Sequence, residues 1–322
     1  MRAAHLINHI GPDGVQIVDT AEPGASEGKV VVDIHAAGVS FPDLLQTRAG
    51  YQLVRPLPAV LGLEGAGVVR HAPRGCALTP GQRVAVFSDA GTWQQTVAVE
   101  PASVFPLPDE LSMTAAAGML LNFLTVHFAL TNRSQPPPGG IILVHGAAGG
   151  IGTAALRIAP ALGLDTIAVV STSAKATAAR GHGATHVVDA ADFKNRTLDI
   201  TDGSGVDVAL DPVGGDRFLD TLRSLAVGGQ AVILGFTAGE IPSVKVNRLL
   251  LKNISVTGAG WAEYIRVRPS YPQEQWSDIA AMVRSGRLKV PEPATVSLDH
   301  AALALRALDD RTAHGKSVLT LR

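Results

Sequence analysis

The stretch ILVHGAAGGIGTAAL, Ile142 to Leu156, constrains the fold of this chain more than any other. An apolar run ends in small residues and passes straight into a helix-forming sequence. The pattern predicts a strand over 141–145, a tight turn, and a helix from about Gly150. Such a turn suits a phosphate group. Gly149 lets the backbone come close, Gly152 lets the helix pack on the strand, and the helix start offers N–H groups without intrahelical partners. Ala147 stands where the dinucleotide fingerprint has its first glycine, and Pro160 is expected to bend the helix near its end. A turn that binds nothing has the same local look. The order of strand, turn and helix within a longer alternation favours binding.

That alternation runs through the middle of the chain. Strands are expected at 141–145, 166–170, 185–188, 206–210 and 230–235, with helices at 150–162, 173–182 and 215–226. Runs such as IILV (141–144) and AVIL (231–234) are apolar at every position, as a parallel sheet covered on both faces requires. From Val15 to Pro108 the texture differs: short β-branched runs broken by glycine and proline predict a mostly β domain. Ser112 is a candidate N-cap for one long helix over 114–130, followed by the stiff break PPPGG (136–140). Helices over 275–285 and 300–308 and a strand over 317–321 close the chain. Its 322 residues suffice for two domains.

Charge and composition narrow the partners. The net charge of -1 gives no basic field for nucleic acid or an anionic membrane, and 4% aromatic content argues against base-stacking platforms. A single cysteine, Cys76, rules out an internal disulfide and a cysteine-rich metal site. The first residues lack the pattern of a signal peptide. The longest apolar stretch, 115–130, is interrupted by Asn122, Thr125 and His127, so a cytoplasmic protein is expected. His35, His71, His182 and His314 read as surface or turn residues. For the dinucleotide, NAD-specific folds place an acid at the end of the second strand. Here that end reads STSAK (171–175), and Asp165 lies at the opposite end. Hydroxyls at Ser171, Thr172 and Ser173 with Lys175, and Arg180 as a second cation, suit the extra phosphate of NADPH. The alternative for Lys175 is an ordinary solvated helix lysine.

Several motifs in order, AAGVSFPDLL (36–45), LPAVLGLEGAGVV (57–69), LTPGQRVAVF (78–87), GMLLNFLTVHFAL (118–130), HGAAGGIGTAA (145–155), VDVALDPVGG (206–215), NRLLLKNISVTGAGW (247–261) and HGKSVLTL (314–321), span almost the whole chain. With them the chain resembles the medium-chain dehydrogenase/reductase superfamily, in its zinc-free, zeta-crystallin-like quinone oxidoreductase branch. The resemblance implies an α/β protein. A GroES-like, β-rich catalytic domain would hold 1–120 and 262–322, and a Rossmann doubly wound parallel sheet domain 121–261, with the cofactor in the cleft. It also implies a homodimer through the sheet edge near Ile254–Gly258. Zinc members of the superfamily supply a cysteine where this chain has Ser40 and a histidine where it has Leu63; of that motif only Glu64 remains. No metal is therefore expected.

For the acceptor, the resemblance points to Ser40, Asp43 and Tyr51. Tyr51 would bind a carbonyl or pass a proton through water, unless it is an aromatic packed at a turn. For the cofactor it points to Thr125, Ala148, Gly149, Gly150, Ile151, Ser171, Thr172, Lys175, Gly235, Phe236 and Asn247. The implied activity is hydride transfer from NADPH to a quinone or other activated alkene or enone. An enoyl thioester reductase, or a low-turnover NADPH-binding protein with a structural or regulatory role, are the alternatives.

Overall fold

The computed structural model describes residues 1–322 apart from 25–27, 53, 90 and 314, so His314 lies outside the described residues. Two compact units emerge. The first holds Met1–Leu121, Pro269–Gly286 and Val290–Arg322; the second holds Asn122–Arg268 and Arg287–Lys289. The chain returns to the first unit at Pro269, later than the sequence reading places it. The reason is a set of contacts within the second unit: Tyr264 packs on Phe128 at 4.8 Å between ring centroids, and its hydroxyl accepts a hydrogen bond from Asn132.

The first unit opens with β1 (Arg2–Leu6), β2 (Val15–Asp19), β3 (Val30–Val39), α1 (Phe41–Gln46), β4 (Ala59–Val60), β5 (Glu64–His71), β6 (Arg83–Phe87), β7 (Thr96–Val99), β8 (Val104–Pro106) and α2 (Met113–Ala117). The second unit then runs through α3 (Leu120–Phe128), β9 (Ile141–Val144), α4 (Gly150–Ala161), β10 (Asp165–Val170), α5 (Ser173–Gly181), β11 (His186–Asp189), α6 (Phe193–Ile200), β12 (Val206–Asp211), α7 (Phe218–Arg223), β13 (Leu225–Ile233), α8 (Asn247–Lys252), β14 (Ser255–Gly258) and α9 (Trp261–Val267). The chain closes with α10 (Tyr271–Arg284), β15 (Ala294–Ser297), α11 (Ala301–Asp309) and β16 (Ser317–Thr320).

In the first unit a small antiparallel sheet, β2-β1-β4, accompanies a larger one in the order β15-β16-β3-β5-β6-β8, with β7 pairing on β3. Alternate residues Val30, Val32 and Ile34 of β3 pack with Val84, Val86, Trp93 and Leu319 in its core. Register decides which distant residues meet. Ser317 pairs with Val39 across β16 and β3, and Ala37 pairs with Gly65 across β3 and β5. Lys316, Ser40 and Glu64 are thereby brought to one end of three adjacent strands.

The second unit is a six-stranded parallel sheet, β11-β10-β9-β12-β13-β14. β9 is central, and the winding reverses between β9 and β12, the place where such sheets bind ligands. Two expectations need correction. The long helix over 114–130 is broken into α2 and α3, because Gly118 caps α2 and the Leu121 N–H leaves the helix to meet the Glu64 carboxylate. The helix expected over 215–226 shortens to α7, because β13 already begins at Leu225. Among the described residues no helix is long and apolar enough to cross a membrane.

Candidate active site

In the first unit Ser40, Asp43, Glu64 and Lys316 form a closed polar cluster. Ser40 precedes α1, and Asp43 in its first turn reaches back: one carboxylate oxygen accepts the Ser40 N–H at 2.8 Å, the other the Gly62 N–H at 3.2 Å. Glu64, at the start of β5, accepts the Leu121 N–H at 2.8 Å on one oxygen. Its other oxygen accepts the Lys316 ammonium at 2.5 Å and the Ser40 hydroxyl at 3.3 Å. Lys316 also donates to Ser40 Oγ at 3.1 Å. The Ser40 hydroxyl therefore has its proton on Glu64 and one lone pair taken by Lys316. Asp43 and Glu64 are wholly buried, and a Cβ on Gly38 would stand only 2.7 Å from Glu64 Cγ. Burial pushes the Asp43 carboxyl up to about 7, with Glu64 adding to the rise, against the pull of Lys316 and the two N–H groups. Leu63 is a buried apolar residue, and Tyr51 is half-buried just beyond α1. Among the described residues no group of three or more His, Cys, Asp or Glu side chains is arranged to hold a metal ion.

The second unit builds its turn from backbone. After β9 the His145 N–H joins the Leu210 carbonyl, Gly146 turns at a φ of 58°, and the Gly149 N–H closes on the Gly146 carbonyl at 2.9 Å. Gly149 precedes α4 without any side-chain cap, so the first N–H groups of the helix, from Gly150 and Ile151, have no intrahelical partner. Gly149 is exposed and Ala148 buried. A Cβ on Gly152 would overlap Ala147 Cα and the Gly146 carbonyl, so the close approach of helix and turn requires glycine there. Asn122 lies against Gly150, and Thr125, one turn further along α3, is half-buried. Pro160 sits exposed in the last turn of α4.

β10 ends at Val170, followed by exposed Ser171 and Thr172. The Thr172 hydroxyl oxygen caps α5 by accepting the Lys175 N–H at 3.2 Å, which fixes Lys175 in the first turn. Arg180 is in the last turn of the same helix, away from that end. Beyond β13, Phe236 is 39% exposed and packs its ring over Gly214, whose N–H is held by Asp211 at 2.9 Å. Gly235 is half-buried, and Asn247 opens α8 in an exposed position.

Sequence reasoning misses two features. Lys316 lies inside a quoted motif, yet nothing local tells which acid it meets across β16 and β3. His145 reads as part of the glycine turn, but its ring points into the sheet's covering layer. Its Nε2 pairs with Thr221 Oγ1 at 2.8 Å, and its ring meets Phe193 edge-on at 4.9 Å. Burial pushes this imidazole down to about 4 against the opposing pull of Asp211. Among the described residues, His145 Nδ1 and Asp211 Oδ2 are buried without a hydrogen-bond partner.

Comparison with known proteins shows the family. Residues 26–109 match the alcohol dehydrogenase GroES-like domain family, and residues 150–282 match the zinc-binding dehydrogenase family. Quinone oxidoreductase-like protein 2 of Rattus norvegicus is 33% identical over 91% of this chain and 85% of its own length. The chain belongs to the medium-chain dehydrogenase/reductase superfamily, in its quinone oxidoreductase-like branch. Two solved structures are similar to this chain. A probable oxidoreductase from Mycobacterium abscessus has 38% identity and a TM-score of 0.92, covering 100% of this chain and 99% of its own. The quinone oxidoreductase of Escherichia coli, solved with NADPH, has 29% identity and a TM-score of 0.90, covering 100% of both chains. Positions 40 and 63, at which the sequence reading departs from zinc members, lie in the GroES-like match over residues 26–109 and outside the region matched to the zinc-binding dehydrogenase family. The chain is thus an oxidoreductase of this branch.

Proposed function

We propose that the protein passes hydride from NADPH to a quinone or an α,β-unsaturated carbonyl without a catalytic metal. One observation carries this reading: neither zinc-ligand position is available to a metal. Position 63 is an apolar leucine, and the Ser40 hydroxyl is held between Glu64 and the Lys316 ammonium. A cation in that place repels a divalent ion, so the donor set does not fit zinc. Without a Lewis acid, alcohol oxidation lacks its charge stabiliser, whereas a conjugated acceptor spreads the incoming charge over its own carbonyl.

The turn after β9 fits a dinucleotide. Gly149 leaves the backbone accessible, and the uncapped start of α4 offers N–H groups to a pyrophosphate. Ser171 and Lys175, with no carboxylate at the end of β10, suit the extra ribose phosphate, and NADPH in the Escherichia coli structure supports the same choice. Bound NADPH supplies the hydride. Tyr51 orients the acceptor carbonyl, while Ser40 and Asp43, whose bonds are internal, hold the local geometry. Thr125, Gly235, Phe236 and Asn247 are the remaining cofactor contacts of this reading.

The same reading includes a homodimer. β14 is the edge strand of its sheet, and Val246, Leu250 and Leu251 beside it are each at least 75% exposed. An unpaired edge flanked by apolar side chains suits a second copy of the chain. Light scattering should give twice the chain mass, and Leu250→Glu with Leu251→Glu should halve it. The activity test is NADPH consumption by chelator-treated protein with para-benzoquinone, phenanthrenequinone, simple enones and an enoyl thioester. Turnover of the quinones or enones is expected. Binding without oxidation across the panel removes the reductase reading.

A further inference from the structure

Arg55 belongs to the segment of the first unit between Tyr51 and β4. Its Nη1 donates to the Val60 carbonyl at 3.1 Å, which closes this segment and pins the guanidinium. Among the described residues that is its only hydrogen bond, and no carboxylate lies within ion-pair distance. Arg83 likewise donates to one backbone carbonyl, that of Leu111, but four other arginines of the unit differ. Arg2, Arg48, Arg70 and Arg306 all pair with carboxylates at the surface, where water would serve nearly as well. Arg55 is half-buried, and burial holds its pKa below the ordinary value. The charged groups acting on it are Asp89, Asp43 and Tyr51, in that order. Asp89 is exposed, and Asp43 has both oxygens engaged by the Ser40 and Gly62 N–H groups.

A guanidinium carries five N–H donors in a planar fork. This one has given up part of its water and, among the described residues, gained a single carbonyl in exchange, so most of the fork has no protein partner there. It stands within the electrostatic reach of Tyr51 and Asp43, two residues assigned above to the acceptor side. We infer that Arg55 is a specificity residue that binds a carboxylate carried by the quinone or enone acceptor. The inference rests on the reductase reading for what the acceptor is. The planar fork accepts a carboxylate with two parallel hydrogen bonds, which a lysine at the same place cannot reproduce.

The test pairs an acid with its ester. trans-β-Acetylacrylate and its methyl ester are compared as substrates with NADPH. Levulinate and methyl levulinate, the saturated counterparts with no alkene to reduce, are compared by calorimetric binding to the full-length protein with and without the oxidised dinucleotide. In the unaltered protein the acid is favoured roughly tenfold or more in both measurements, and added salt narrows the ratio. Arg55→Gln brings the ratio to about one, and Arg55→Lys leaves it between the two. Thermal unfolding and dinucleotide affinity of each variant verify that it is folded. Equal affinity for acid and ester in the unaltered protein, or an unchanged ratio in Arg55→Gln, overturns the assignment. Absence of turnover with a preserved preference for levulinate would instead refute the reductase reading and leave the carboxylate site standing.

Discussion

The two units hold their candidate groups by different means. In the first, Ser40, Asp43, Glu64 and Lys316 come from three separate segments and are fixed by side-chain bonds among buried charges. In the second, the turn from Gly146 to Gly152 is one continuous stretch fixed by backbone bonds and by the absence of side chains. A charged cluster is sensitive to losing a partner, because the group left behind stays buried and unpaired. A glycine turn is sensitive to gaining atoms. The first unit thus depends on charge balance, the second on empty space.

The largest effect expected is that of Lys316→Met. It leaves Glu64 buried without its counter-charge, and should lower the unfolding free energy by about 3–5 kcal/mol. Adding Glu64→Gln should recover part of that loss, measurable as coupling in a double-mutant cycle of denaturant unfolding. Full additivity would show that the pair does not act as one. Next in size, Gly152→Val forces a side chain into the Ala147 backbone and should cost about 1–3 kcal/mol. It should weaken dinucleotide binding at least as much as it destabilises; a titration showing native affinity would contradict the role of empty space.

Acid and base should act on the units in opposite senses. Asp43, raised to about 7, contributes stability that is full below its unfolded value near 3.8 and lost as pH rises through 7. His145, lowered to about 4, contributes stability that is present above its unfolded value of 6.5 and lost as pH falls through 4. Calorimetry across this range should show Asp43→Asn removing the loss on the alkaline side and His145→Phe removing the loss on the acid side. Identical slopes in both variants would erase the contrast. The smallest effect is expected of Lys175→Ala, a half-buried lysine in the first turn of α5. NADPH affinity should fall about tenfold, in line with one charge-assisted contact, while NADH affinity stays the same. Equal losses for both dinucleotides would remove the phosphate contact.

Much of the second unit is legible in the chain because its rules are local. Doubly apolar runs mark β9, β12 and β13, and the glycine turn sits between a strand and a helix adjacent in sequence. Where the reading slips, a distant partner is responsible: the break between α2 and α3 answers to Glu64, more than fifty positions away in the chain. The proposed acceptor residues, Ser40, Asp43 and Tyr51, are visible as residue types carried by the family motif. Their bonding was not visible.

The amino-acid order alone determined the alternation of strands and helices, the glycine turn after β9, and the lack of an acid after β10, since each is written in neighbours along the chain. Tertiary structure alone decided that Lys316 meets Glu64 and Ser40, that His145 turns inward to Thr221, and that the Arg55 guanidinium donates to the Val60 carbonyl. The physical reason is the range of the interactions. Periodicity and turn chemistry act over a few residues, whereas a buried charge finds its partner through sheet register, which joins segments hundreds of positions apart.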